Sequence, residues 1–151
     1  MQSLDSLLDA VDPKVNVKAS LPPESQATAR KNVVAALKEL VEAGIDCYRS
    51  EPAIIDCDGS KFHYNVGYSP CLTASRGRGG HWVSSRGRRQ SVAERLRLMG
   101  VRPQRVEDAV KNEPANLIGE IIGNAVPVPL LAAVYRSLLP AIGFTVAPRR
   151  R

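Results

Sequence analysis

A mixed α/β chain, mostly helical with a few short strands, is the fold class that three observations predict. Residues 25–43 place Ala29, Val33, Ala36, Leu37, Leu40 and Val41 at i, i+3, i+4 spacing, one apolar face of a helix. Residues 115–122 and 127–139 are apolar with the same period. Ala53-Ile54-Ile55-Asp56-Cys57 is a short apolar run ahead of an Asp58-Gly59 turn, the pattern of a buried strand. At 151 residues the chain has the size of one domain. Its 44% hydrophobic content is enough for a core and excludes global disorder, and 5% aromatics make that core aliphatic.

Taken in order, residues 3–10 are a short amphipathic piece carrying Leu4, Leu7 and Leu8. Asp12-Pro13 to Leu21-Pro22-Pro23 reads as linker. The 25–43 helix ends at Gly44, which suits a left-handed cap with Ile45 folding back on the last turn. Residues 60–75 are expected to be extended, 76–80 a Gly/Arg loop, and His81-Trp82-Val83 a short strand. Ser91-Val92-Ala93-Glu94 is a capping box, so a helix begins there, with Leu96, Leu98 and Met99 inward and Arg95 and Arg97 outward, and ends at Gly100. Pro103 opens a polar helix over 103–112. Leu117, Ile118, Ile121 and Ile122 face inward from the next helix, and Gly123-Asn124 forms a bend. Pro127 and Pro129 occupy the opening turn of the last helix, and Pro148-Arg149-Arg150-Arg151 is a basic tail.

Charge is distributed unevenly. Residues 1–75 carry a net −3, residues 76–105 a net +8 and residues 106–151 a net +1, within a total of +6. All nine cations of the middle stretch are Arg, interleaved with Gly. Arg presents a planar fork of donors matched to phosphate, so this stretch points to nucleic-acid contact, with a solvated basic face as the alternative. Three cysteines, Cys47, Cys57 and Cys71, are too few and too widely spaced for a disulfide scaffold and favour a reducing compartment. Cys57, His63, Cys71 and His81 are separated by 5, 7 and 9 residues, a spacing that fits no zinc pattern. The N-terminus lacks the features of a secretion signal, and no stretch is read as the roughly 18–20 apolar residues of a membrane span.

Three separated segments carry a family resemblance. They are Pro70-Cys71-Leu72-Thr73-Ala74-Ser75; Arg88-Arg89-Gln90-Ser91-Val92-Ala93-Glu94-Arg95-Leu96-Arg97-Leu98-Met99-Gly100; and Ile122-Gly123-Asn124-Ala125-Val126-Pro127-Val128-Pro129-Leu130. In order and spacing they resemble the ninth and tenth motifs of the DNA cytosine-5 methyltransferases: a Pro-Thr-Leu-Thr-Ala-Ser loop, an Arg-Arg-Leu-Thr-x-x-Glu-x-x-Arg-Leu-Gln-Gly helix and a Gly-Asn-Ala-Val-Pro-Val segment. The resemblance implies the C-terminal part of an S-adenosylmethionine-dependent methyltransferase fold over 70–147. Residues 1–69 would stand where the family keeps its target-recognition region, or serve as a bridge, and 148–151 would be the tail. It further implies that Asn124, Ala125 and Val126 form one wall of the S-adenosylmethionine pocket. Arg76, Arg78, Arg86, Arg88, Arg89 and Ser91 would contact DNA, mainly at phosphates.

The departures shape the functional expectation. The family's Pro-Cys-Gln nucleophile, Glu-Asn-Val, Arg-x-Arg and glycine-rich cofactor loop do not occur in these residues. Cys71 stands where the family has the first Thr of its loop, with no adjacent His or helix start evident to activate it, and is not read as a nucleophile. No catalytic residue is therefore expected. The chain is expected to be a fragment or split subunit that transfers methyl from S-adenosylmethionine to C5 of cytosine in DNA only together with a partner chain carrying the missing motifs. The alternatives are a non-enzymatic DNA-binding or accessory module derived from such an enzyme, and a truncated reading frame. Either reading places the chain inside the cell: in the nucleus of a eukaryote, or the nucleoid or cytoplasm of a bacterial or viral system. The last helix, apolar over more than the roughly 100° of a one-sided surface helix, is expected to leave an exposed patch with Ile121–Val126 unless helix 25–43 covers it.

Overall fold

The computed structural model describes residues 3–49 and 51–144. It is a mixed helical fold around a small antiparallel sheet. After a 3-10 turn over Leu4–Leu7 and an irregular stretch come helix α1 (Ala27–Glu42), strands β1 (Ala53–Asp56) and β2 (His63–Val66), a single turn α2 (Ala74–Gly77), strands β3 (Trp82–Val83) and β4 (Arg88–Arg89), helix α3 (Val92–Leu98), a short turn α4 (Glu107–Val110), and helices α5 (Ala115–Asn124) and α6 (Val128–Ala141). The basic tail lies outside the described residues.

The strand order is β2-β1-β3-β4, every pair antiparallel. β1 is buried on both faces, as its unbroken apolar run requires. Ala53 and Ile55, with Trp82 opposite Ile55, meet the α1 face of Ala29, Val33, Ala36, Leu37 and Leu40. On the other face Ile54 and its partner Val83 pack on Leu4 and Leu8 of the N-terminal segment. Val41, expected on the α1 face, is 62% exposed. Ser84, just past β3, ties the start of β1 to the segment before it: its hydroxyl donates to the Cys47 carbonyl at 2.6 Å and accepts from the Ala53 amide at 2.9 Å. α1 ends in a Schellman cap, with Gly44 N–H bonded to Val41 O and Ile45 N–H to Leu40 O.

A second core gathers Leu72, Leu96, Met99, Ile118 and Ile122 from the loop before α2, α3 and α5. Several local expectations change here. Residues 74–77 form a helical turn where extended chain to 75 and a loop from 76 were expected, and Arg88-Arg89 adds an edge strand. The polar helix at 103–112 is only a 3-10 turn and α4. Gly123 and Asn124 remain helical, and the bend falls at Ala125–Pro127. Leu117 and Ile121 are exposed, so α5 buries a narrower stripe than its composition suggests. Gly123 is required by close approach: a Cβ there would overlap the Thr73 carbonyl.

By length and composition alone, residues Ala115–Ala141 are apolar enough to cross a membrane, which no stretch was expected to be. They are, however, two helices. Ala125 is extended at ψ 154°, and Pro127, with no amide proton, stands at the start of α6. Such a break exposes backbone groups that hydrocarbon does not satisfy, and Ile118 and Ile122 are committed to the second core.

Candidate nucleic-acid interface and cofactor wall

The six residues expected to contact DNA are held by three different parts of the chain, and each Arg among them meets a carboxylate. Arg76 Nε donates to Asp56 Oδ2 at 2.9 Å, fastening α2 to the end of β1. Arg89 donates to both Asp58 oxygens, at 2.6 and 2.9 Å, to Gln26 Oε1 and to the Gly80 carbonyl. Arg78 meets Glu120 of α5 at 2.9 Å, and this pair is largely in solvent.

Arg86 is the clearest departure from the expectation. Its side chain is 7% exposed. The guanidinium donates to Asp5 Oδ1, the Asp9 carbonyl and the Ser85 hydroxyl. It holds the N-terminal segment against the sheet, and its burial leaves little surface for a phosphate. A buried Arg needs such partners, because an unpaired cation inside a protein is strongly destabilising.

Arg88 and Ser91 belong to a network centred on Glu94. Ser91 caps α3 as its spacing requires: its hydroxyl accepts from the Glu94 amide at 3.1 Å, and Glu94 Oε2 accepts from the Ser91 amide at 2.7 Å. Glu94 is fully buried, and the same carboxylate takes a bidentate fork from Arg88 and the Asp9 amide. The Glu94 carboxylate beside Arg88 raises that guanidinium's pKa, so it stays cationic. Asp9 reaches the same place from the other side: Oδ1 accepts from Arg97 Nη2 at 2.6 Å and Oδ2 from the Ser91 hydroxyl at 2.8 Å. Partial burial pushes the Asp9 carboxyl upward, but these hydrogen bonds and the charges of Arg97 and Arg88 outweigh it and hold the group below its ordinary range.

Arg97 and Arg95 were expected to point outward. Arg97 is instead tied to Asp9 and the Leu7 carbonyl, and Arg95 is buried, with burial lowering its pKa. The cations of the basic stretch that remain well exposed are Arg78, Arg102 and Arg105. The latter two were not singled out from sequence, since their spacing carries no motif.

Asn124, Ala125 and Val126 are all exposed. Of the three, Ala125 lines a pocket of about 260 Å³ with Pro70, Cys71, Leu72, Met99 and Pro127. Two segments 50 residues apart, 70–75 and 122–130, thus lie against each other, with Gly123 on the Thr73 carbonyl. Cys71 is exposed, and its thiol donates to the neighbouring Leu72 carbonyl at 3.9 Å. His81 is buried. Its ring is hydrogen-bonded to the Cys71 backbone, and its Nε2 has no hydrogen-bond partner among the described residues. Cys47 and Cys57 are buried, and burial pushes both thiols up, away from nucleophilic use. The described residues hold no group of three or more His, Cys, Asp or Glu placed to share a metal ion. No family model, curated protein or solved structure matches this chain.

Proposed function

We propose that the chain is the C-terminal part of a DNA cytosine-5 methyltransferase, acting as a fragment or split subunit beside a chain that supplies the nucleophile and the glycine-rich cofactor loop. One observation carries the reading. The segments that resemble the family's motifs, though 50 residues apart, pack together around the pocket lined by Cys71 and Ala125. In this reading Asn124, Ala125 and Val126 present an open wall to S-adenosylmethionine. DNA phosphates meet Arg78, Arg102 and Arg105, the exposed cations, together with the half-buried Arg76, Arg88, Arg89 and Ser91. Arg86 takes no part.

The chain's own chemistry is then limited to positioning. Among the described residues no hydrogen bond joins the Cys71 thiol to a base, and attack on C6 of cytosine needs an activated thiolate. Incubated alone with tritiated S-adenosylmethionine and DNA, the chain is expected to transfer no methyl. Incorporation that disappears in Cys71→Ser would overturn this. The positive test is reconstitution with the chain encoded beside it: methyl transfer by the pair and by neither alone is expected. A neighbouring chain without a glycine-rich loop and Pro-Cys-Gln, or an inactive pair, defeats the split-enzyme reading. If the chain nonetheless binds DNA with a salt-dependent affinity, a non-enzymatic DNA-binding module is what remains.

A further inference from the structure

Arg88, Arg97 and Ser91 converge on a single carboxylate that belongs to the chain itself. Arg97 Nη2 lies 2.6 Å from Asp9 Oδ1, Ser91 Oγ 2.8 Å from Oδ2, and Arg88 Nη2 3.8 Å from Oδ2. We propose that these three side chains form a phosphate-binding site, and that Asp9 occupies it as a built-in competitor that a phosphate group must displace. This rests on the reading that the chain contacts nucleic acid, and it names how that contact is gated.

Three features of the geometry support it. The set is suited to a phosphate: the Arg97 guanidinium and the Ser91 hydroxyl donate directly to the anion, and Arg88, forked onto Glu94, adds its charge at 3.8 Å. Glu94, the other acid of the network, is satisfied by Arg88, the Ser91 amide and the Asp9 amide and stays in place when Asp9 leaves. The site is also reachable, since the side chains of Arg88, Arg97 and Asp9 are each about a third exposed.

Displacement needs little movement. The Asp9 backbone is pinned on both sides, its amide donating to Glu94 at 2.8 Å and its carbonyl accepting from Arg86 at 2.7 Å. Leu4 and Leu8 anchor the segment in the core. Opening the site therefore means rotating one side chain into solvent rather than undocking the segment. Asp9 stays ionised, because its carboxyl is held below the ordinary range by the same partners. The competitor is therefore removed by another anion, not by mild acid.

The substitution Asp9→Asn keeps shape and backbone bonds and removes the charge. The parent, D9N and the double variant D9N/R97Q are titrated with a labelled DNA duplex, followed by polarisation, and with inorganic pyrophosphate, followed by NMR. D9N is expected to bind both probes roughly tenfold more tightly than the parent, with the duplex salt slope steeper by about one. D9N/R97Q is expected to fall back toward the parent. D9N binding neither probe more tightly overturns the proposal, whether or not the parent binds DNA. Tighter pyrophosphate binding with no duplex binding by any form upholds the gated site and defeats the nucleic-acid reading. Duplex bound equally by parent and D9N, with pyrophosphate binding also unchanged, does the reverse. The parent provides a readout without substitution: pyrophosphate is expected to shift the Ser91 and Arg97 resonances, and shifts confined elsewhere overturn the site.

Discussion

Six Arg side chains of the basic stretch, Arg76, Arg78, Arg86, Arg88, Arg89 and Arg97, are matched to Asp5, Asp9, Asp56, Asp58, Glu94 and Glu120. Four of those acids come from the acidic first half of the chain, so the charge asymmetry is partly an internal clamp: a negative N-terminal half fastened to a positive middle. Each exposed pair is worth little, about 0–1 kcal/mol, because water screens it. The buried members matter more, since leaving one unpaired is costly. Buried His81 belongs with them. Burial lowers its pKa below the ordinary 6.5, with Asp56, the Cys71 backbone and Asp58 opposing and Arg76 assisting. Protonation is thus easier in the unfolded chain than in the folded one. Between the depressed folded value and 6.5 the unfolded state binds more protons, so stability is complete above 6.5 and falls as the pH drops through that range. Asp9, also depressed, adds stability present above its unfolded 3.8 and lost below it. Urea midpoints are therefore expected to fall in two limbs, one beginning near 6.5 and one near 3.8. A flat profile from pH 7 to pH 5 would show that His81 is not held neutral by the fold.

At the scale of single elements, Gly44 and Gly123 separate two reasons for glycine. Gly44 has φ +71° and open space around it, so its role is purely conformational; Gly123 is helical and faces the Thr73 carbonyl, so its role is purely steric. Gly44→Ala is expected to cost about 1 kcal/mol in chemical denaturation, the strain of a left-handed alanine. Gly123→Ala is expected to cost about 1–3 kcal/mol, because α5 must move off the loop before α2. Equal small costs at both sites would mean that the α2–α5 contact is looser than the structure has it. The Gly44 cap was legible because stop signals are local, and so was the Ser91–Glu94 box. The bend after α5 was misplaced because Gly123 looks like a turn residue locally, whereas its reason is a neighbour 50 residues away. The outward assignment of Arg97 failed likewise: helical spacing alone does not reveal that Asp9 and the Leu7 carbonyl arrive from the N-terminal segment. Of the candidate site, the capping residues could be read from spacing, but the sorting of Arg side chains into buried clamp and exposed remainder could not, since sequence patterns do not record ion pairs between distant segments.

For the whole molecule, the mixed helix-and-sheet class followed from periodicity, and so did the two-sided burial of β1. The open question from composition was what covers the last helix. α1 does not: its apolar face is spent on the sheet. No residue of α6 is buried, and its ties to the body lie at its start, where the Val128 amide donates to the Met99 carbonyl and a Cβ on Gly100 would overlap the Pro129 ring. Val128, Leu130, Leu131, Val134, Tyr135 and Leu138 of α6 are each 38–55% exposed, and Val126, two residues before α6, and Ile121 of α5 are 51% and 59% exposed. At 100° per residue these α6 side chains spread over roughly half the helix circumference, wider than the stripe a one-sided surface helix buries. Single exposed leucines are ordinary, but a contiguous group of this kind on a small chain is a surface that water disfavours at roughly 25 cal/mol per Å². The isolated chain is therefore expected to self-associate at micromolar concentration and to bind a hydrophobic dye. Replacing Leu130, Val134 and Leu138 together by Gln or Ser is expected to suppress both without lowering the urea midpoint, because none of the three contributes to either core. Light scattering, dye fluorescence and the midpoint decide it. A parent chain that stays a dilute monodisperse monomer, binds no dye and unfolds cooperatively would mean that α6 is covered from within, and that the chain needs no partner to complete its fold.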